Sequence, residues 1–305
     1  MPAPKSFGRD RGLQTRMMMT VFLLGLVYVV LIAVLIAAGV GAVAVAVIAC
    51  LLFVVQYFTS DKLALASMGA RVVSAQDAPR LHETIERLCI QADLPMPRVA
   101  VAQTPMPNAF AVGRSPSTAT VCVTTGLLQL LDYGPELDGV LAHELTHVQN
   151  RDVMFMTIAS FFASIAAFIV QMGFFFGGGM GGRSNNNSND GPSFAIVVLV
   201  AGVVYVVSFV LLQALSRYRE FAADRGSALI TGRPSALSSA LLKISDTMGQ
   251  IPQRDMRAAS GELAAFYIFP PKARQTVATL FSTHPPLEKR LEALARLEAQ
   301  LQGTA

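Results

Sequence analysis

Pro135-Glu-Leu-Asp-Gly-Val-Leu-Ala-His143-Glu144-Leu-Thr-His147-Val-Gln-Asn150 is the stretch on which the reading of this chain turns. Val140, Leu141, Leu145 and Val148 supply an apolar face at helical spacing, so the segment reads as an α-helix. His143 and His147 stand at i and i+4, one turn apart, and project from one face of it. Two imidazole nitrogens so placed can grip a single Zn²⁺ at about 2.0–2.1 Å. Glu144 is one residue on from His143. It stands beside the metal rather than on it, in the position of a general base acting on water.

Two histidines leave such a site incomplete, because a catalytic zinc takes three protein ligands and keeps one position for water. A candidate follows in Ser216-Arg-Tyr-Arg-Glu220-Phe-Ala-Ala-Asp224, where Glu220 and Asp224 are again i and i+4. One reading makes Glu220 the third ligand and Asp224 an acceptor for the outer ring nitrogen of a ligand histidine. The other makes both carboxylates partners of Arg217, Arg219 and Arg225 in a solvated charge cluster. Spacing alone leaves the two readings level, since two long apolar runs separate His147 from Glu220.

Those runs dominate the composition. Of 305 residues, 53% are hydrophobic and only 14% charged, against about 25% charged in an average soluble domain. From Met17 to Phe58 no side chain is charged. One span needs about 20 residues, so the run fits a hairpin, Met17–Ala38 and Val43–Phe58, turning near Gly39 and Gly41. It is far too long for the roughly 7–15-residue core of a signal peptide. Val153–Phe176 and Ser193–Leu215 follow, joined by a Gly- and Asn-rich loop. Lys5, Arg9, Arg11 and Arg16 precede the first run, and Arg151, Arg217, Arg219 and Arg225 flank the later pair on the same side. The bias of basic residues therefore puts both termini and the polar segments in the cytoplasm. The expected organisation is a tail at 1–16, a hairpin at 17–58 and a first catalytic part at 59–152. A second hairpin follows at 153–215, with an external loop at 177–192, and a second catalytic part at 216–305.

Within the polar parts, Asp77–Ala92 reads as a helix with Pro79 in its first turn. Arg98–Gln103, Ala109–Val112 and Ser117–Thr124 read as short strands of a small sheet, and Pro285–Gln302 reads as a leucine-bearing helix. Cys50, Cys89 and Cys122 are widely spaced and odd in number. They read as apolar fillers in a reducing compartment, with no disulfide frame or cysteine metal site. The formal charge of +4 comes without a basic stripe interleaved with aromatics, which argues against nucleic-acid binding. The spans carry few polar groups, which argues against a metal transporter.

Taken in order, the paired N-terminal runs, Asn108-Ala109-Phe110-Ala-Val-Gly113, His143-Glu-Leu-Thr-His-Val-Gln-Asn-Arg-Asp152, Ser216–Asp224 and Ser282-Thr-His284-Pro-Pro286 resemble the HtpX-type membrane metalloproteases, relatives of the CAAX prenyl endopeptidases. The resemblance covers nearly the whole chain. It implies a mainly α membrane protein with four transmembrane helices, carrying a cytoplasmic α+β, zincin-like metalloprotease domain with a small β-sheet. It implies one Zn²⁺ per chain held by His143, His147 and Glu220, with Glu144 as catalytic base and Asp224 orienting a ligand. It further implies quality control of damaged or misfolded membrane-protein substrates at the inner membrane. Asn108, Ala109 and Phe110 would then begin an edge strand that holds the substrate backbone, beside the alternative of a purely structural edge. His284 would help stabilise an oxyanion, beside the alternative of helix capping or packing. His82 reads as a surface residue, and Asn150, Arg151 and Asp152 read as anchors where the helix meets the bilayer. A catalytically idle membrane scaffold that keeps the metal site is the rival in another class. Oligomeric state is not legible.

Overall fold

The computed structural model describes residues 11–37, 42–177, 194–250 and 285–303. They divide into two compact units: Met1–Tyr57 with Ile158–Tyr218, and Phe58–Thr157 with Arg219–Ala305.

The first unit is built from apolar helix. It holds α1 (Arg11–Ala37) and the apolar lengths of α2 (Ala42–Ser67), α6 (Asp152–Gly177) and α7 (Phe194–Thr231). Among the described residues three stretches are long and apolar enough to cross a membrane: Thr15–Ala37, Asp152–Gln171 and Ile196–Thr231. The expected span Val43–Phe58 is helical as part of α2 but is not one of these three. In α1, Leu24, Tyr28, Leu31 and Leu35 fall on one buried stripe. Phe22, Val29 and Ile36 on the other faces are exposed. A helix apolar on every face, with only one stripe covered by protein, suits a lipid surround.

The second unit is a four-stranded sheet backed by helices. The strands are β1 (Ala70–Val72), β2 (Arg98–Ala102), β3 (Ala109–Val112) and β4 (Thr120–Thr124), in the order β1-β2-β4-β3. The central pair, β2 and β4, is parallel, and both edges are antiparallel. β3 is an edge strand, as expected of Ala109–Val112. On one face, α5 (Pro135–Gln149) packs against β3, with α3 (Pro79–Ala92) and α8 (Pro234–Gln250) against α5 and α9 (Leu287–Gln302) against α8. That core joins Leu81, Ile85 and Leu88 to Val121, Val123, Leu141, Leu145, Leu241 and Leu294. The other face is covered by the end of α2 through Ala64, with Leu65 and Met68 beside it.

The sheet departs from the sequence reading at two points. β1 was not foreseen, and the strand expected from Ser117 starts only at Thr120. Ser115 and Thr118 form a reciprocal capping box that winds Pro116–Thr118 into a turn of 3-10 helix first. A short helix, α4 (Thr125–Leu131), then follows β4 directly, capped by the Thr124 hydroxyl.

Candidate metal centre

α5 is specified locally from both ends. Pro135 occupies its first turn, where a missing N–H costs nothing. Glu136 and Asp138 complement the positive end of the helix dipole. The helix stops at Asn150 because Arg151 adopts a left-handed φ of 55°. Its lower half, from Leu141 to Val148, is buried throughout.

α7 brings the second half of the site against α5 at unusually short range. A Cβ on Gly226 would lie 2.3 Å from Cγ2 and 2.4 Å from Oγ1 of Thr146. Glycine at 226 is therefore what permits the crossing. One residue on, the Ser227 hydroxyl donates to the Gly139 carbonyl at 2.7 Å and locks the register of the two helices.

The crossing sets Glu220 opposite the histidines. His143 Nε2 and His147 Nε2 are 3.2 Å apart. Glu220 Oε2 lies 3.6 Å from the first, and Oε1 lies 3.4 Å from the second. All three side chains are buried, and their donor atoms fall within 4.8 Å of one another. Four ligands at roughly 2.0–2.1 Å in a tetrahedron stand about 3.3–3.4 Å apart along each edge. The imidazole pair stands near that edge, one carboxylate oxygen lies near each ring, and one donor atom from each residue falls within 4.8 Å of the others, so the set can close on a tetrahedral cation.

The outer ring nitrogens are engaged as well. His147 Nδ1 is 2.6 Å from Asp152 Oδ2. His143 Nδ1 is 3.0 Å from Asp224 Oδ1, a close polar contact at a poor angle for a hydrogen bond. Carboxylates on Nδ1 leave both Nε2 atoms turned toward the centre, which is how ligand histidines are oriented. Burial alone would push the His147 ring down. Asp152 on one side and Glu220 on the other outweigh it and hold its pKa up, to about 10. His143 is raised in the same way, with Asp224 and Glu220 overcoming burial. The centre is thus built to hold positive charge.

Arg290 completes the arrangement. It is 1% exposed and forks onto Asp224, with Nε to Oδ2 at 2.8 Å and Nη2 to Oδ1 at 2.5 Å. Its Nη1 is 3.5 Å from Glu220 Oε2. Burial would lower its pKa, but Asp224, Glu220 and Glu144 together hold it above the ordinary arginine value. Arg219 Nε, 3.3 Å from Asp152 Oδ1, supplies a second guanidinium. Four buried carboxylates, Glu144, Asp152, Glu220 and Asp224, therefore face two guanidiniums. With no metal the two raised imidazoles supply the balancing charge; once they ligate as neutral rings, a divalent cation would take over that role.

Two participants had been read otherwise or missed. Asp152 is not simply an anchor at the bilayer: it is 2% exposed and holds His147. On an unbroken helix residue 152 would point away from residue 147, and the left-handed Arg151 swings it back. Arg290 was not singled out, although a signal existed. It lies three residues after Leu287 and four before Leu294, on the apolar face of α9, where an arginine must be paired. His284 lies outside the described residues, as does nearly all of the expected loop 177–192. Asn108, Ala109 and Phe110 are buried at the start of the edge strand. His82 is half-buried on α3, its Nδ1 3.0 Å from the Ala78 carbonyl.

Asp152→Asn should keep the ring contact but lose the charge. Metal affinity, measured by competition with a chromogenic chelator, is expected to fall about 10–100-fold. Unchanged affinity would return Asp152 to a purely structural role.

Comparison with known proteins extends the geometry. The sequence model of Peptidase family M48 matches residues 75–298. A protein named Protease HtpX homolog from Moorella thermoacetica is 50% identical over 298 residues, covering 98% of each chain. Protease HtpX homolog 2 of Methanosarcina acetivorans is 48% identical, over 97% of this chain and 99% of that protein. Protease HtpX homolog 1 of Streptomyces coelicolor is 48% identical, over 97% and 96%. The crystal structure of S. mikatae Ste24p is similar in fold, with a TM-score of 0.50 at 19% identity. That likeness takes in 93% of this chain and 66% of that one.

Proposed function

The chain belongs to peptidase family M48 and is a membrane metalloprotease, and from that premise we propose that it is a zinc-dependent endopeptidase cleaving misfolded or damaged membrane proteins at the cytoplasmic face of the inner membrane. One observation carries the chemistry: the Nε2 atoms of His143 and His147, 3.2 Å apart, converge on the Glu220 carboxylate, whose Oε2 lies 3.6 Å from the first and Oε1 3.4 Å from the second. Nitrogen and carboxylate donors in that number suit zinc and leave a fourth position for water.

When held there, the ion supplies Lewis acidity to the attacking water and to the scissile carbonyl. Glu144 takes the proton from that water and returns it to the leaving amine. Asp152 and Asp224 fix the two imidazoles through Nδ1, and Arg290 fixes Asp224 in turn. β3 receives the substrate as an added strand. Thr124 N–H donates to the Asn108 carbonyl at 2.9 Å, so the alternation of an antiparallel ladder turns the backbone groups of Asn108, Phe110 and Val112 toward β4. Those of Ala109 and Ala111 turn toward the open side, where a substrate strand would pair. Strand addition reads main chain more than side chain, which suits an enzyme with many damaged clients. The basic residues flanking the apolar runs support the cytoplasmic placement.

The test uses the full-length protein in liposomes, with one cleavage sequence presented both on a membrane anchor and as a soluble peptide. Chelation is expected to stop cleavage of both, and re-added zinc to restore it. The anchored form is expected to be the better substrate. Equal cleavage of both forms would remove the membrane substrate from the reading, and cleavage surviving chelation would remove the metal.

A further inference from the structure

The strand expected to receive substrate is secured at one end by a residue pair that none of the catalytic steps uses. Immediately after β3, Gly113 adopts φ +131°, and a Cβ there would lie 2.6 Å from Ala119 Cα. The chain leaves the strand through a passage that only glycine fits. The next residue, Arg114, reaches α2. Its Nε is 3.7 Å from Asp61 Oδ2, and its guanidinium lies 4.7 Å from the centre of the Phe58 ring. Burial pushes the Asp61 carboxyl up, and the Arg114 guanidinium, the Ser60 hydroxyl, Arg98 and the Gly113 N–H oppose that push. Asp61 therefore faces both the side chain and the backbone that follow the strand.

The strand itself meets the same helix. Phe110 and Val112 point to the face of the sheet that α2 covers, in one apolar cluster with Ala64, Ala100, Ala102 and Cys122. Ala109 and Ala111 point to the opposite core. β3 is hydrogen-bonded along one side only, to β4. An edge strand of four residues held on one side keeps its position through what packs on its faces and what holds its ends. Here the outer face and the C-terminal end are both held by α2, the helix that carries the second apolar run.

We propose that Asp61 and Arg114 are positioning residues for the substrate strand, clamping the end of β3 to α2 and so fixing where Ala109 and Ala111 present their backbone groups. The pair sits at the end of the strand, against Phe58 and the Gly113 backbone, and acts through the strand. The side chain of Arg114 is 29% exposed and that of Asp61 15%. Both side chains are largely covered, so loss of one partner also lowers stability somewhat, and KM is the readout that reports misplacement of the strand. The proposal rests on the reading of β3 as the substrate strand.

The experiment measures kcat, KM and thermal unfolding of the full-length, zinc-loaded protein in detergent, on an extended peptide. Arg114→Gln and Asp61→Asn are each expected to raise KM about tenfold, with kcat within about twofold and a modest fall in Tm that the exchanged pair recovers. The exchanged pair, Asp61→Arg with Arg114→Asp, should recover most of the lost KM. An unchanged KM in the single variants would overturn the clamp. So would a fall in kcat or Tm without recovery in the exchanged pair, which marks a merely structural contact. A second peptide, N-methylated at the bonds facing Ala109 and Ala111, separates the two layers. If methylation leaves KM unchanged, the strand reading fails and the clamp with it. If methylation raises KM while the single variants do not, only the clamp fails.

Discussion

Glu144→Gln is expected to lower kcat/KM on a membrane-anchored substrate by roughly 10²–10⁴-fold while leaving the metal content untouched. The side chain is 5% exposed on α5, one residue from His143, and is not one of the three donors that converge on the centre. Glutamine keeps the shape and the hydrogen-bonding reach of the side chain, but it cannot take a proton from water at neutral pH. Metal analysis and kinetics should therefore separate, with full metal and almost no turnover. If the variant cleaved as well as the wild type, the proton-transfer role would fall, and with it the enzymatic reading of the Glu144 position. If the wild type itself proved idle on every substrate offered, the membrane-scaffold reading would gain.

Arg290→Leu should have a comparable effect, but on the fold. Leucine suits the apolar face of α9, so packing is not the issue. The loss is electrostatic: Asp224 forfeits both fork contacts and Glu220 its neighbouring guanidinium, in a pocket where all three side chains are buried. Removing one partner of a buried pair strands the other charge and costs about 3–5 kcal/mol. Denaturant unfolding of the chelated protein is expected to show a loss of that order. In the zinc-loaded protein the loss should shrink, because the cation meets part of the stranded charge. Arg290→Lys should rescue only in part, since a point charge cannot fork onto a carboxylate. Wild-type stability of Arg290→Leu in chelator would show that the fork carries nothing.

Some of this architecture is visible in the residues alone, and the reasons for the rest are physical. α5 is legible because its apolar face, the proline at its start and the spacing of its histidines all agree. α3 is legible for the same kind of reason, with Leu81, Ile85 and Leu88 marking its buried face. β1 is not: three residues, Ala70-Arg71-Val72, carry no periodicity, and the strand exists only through its pairing with β2. The position of Glu220 is legible only as one of two alternatives. Spacing cannot report that Gly226 lets α7 press on Thr146, and this contact is what brings the carboxylate within reach. Asp152 was hidden because its role depends on one left-handed residue, Arg151, which a helical reading cannot foresee. Arg290 is legible only as a charge among the leucines of α9, and its partners, Asp224 and Glu220, are set by the fold and not by spacing.

The scattering of the centre along the chain has a consequence for biosynthesis. His143, His147 and Asp152 leave the ribosome first, Glu220 and Asp224 only after two further apolar stretches have been made, and Arg290 later still. Domains take shape progressively as a nascent chain emerges, yet here the half made first can neither close its grip on an ion nor balance its charge. A polypeptide released before α9 is complete would be left with Glu144 but without the guanidinium that steadies Asp224. The site of this protein is thus assembled only when the late helix α9 joins the earlier ones, so metal binding reports completion of the whole catalytic unit.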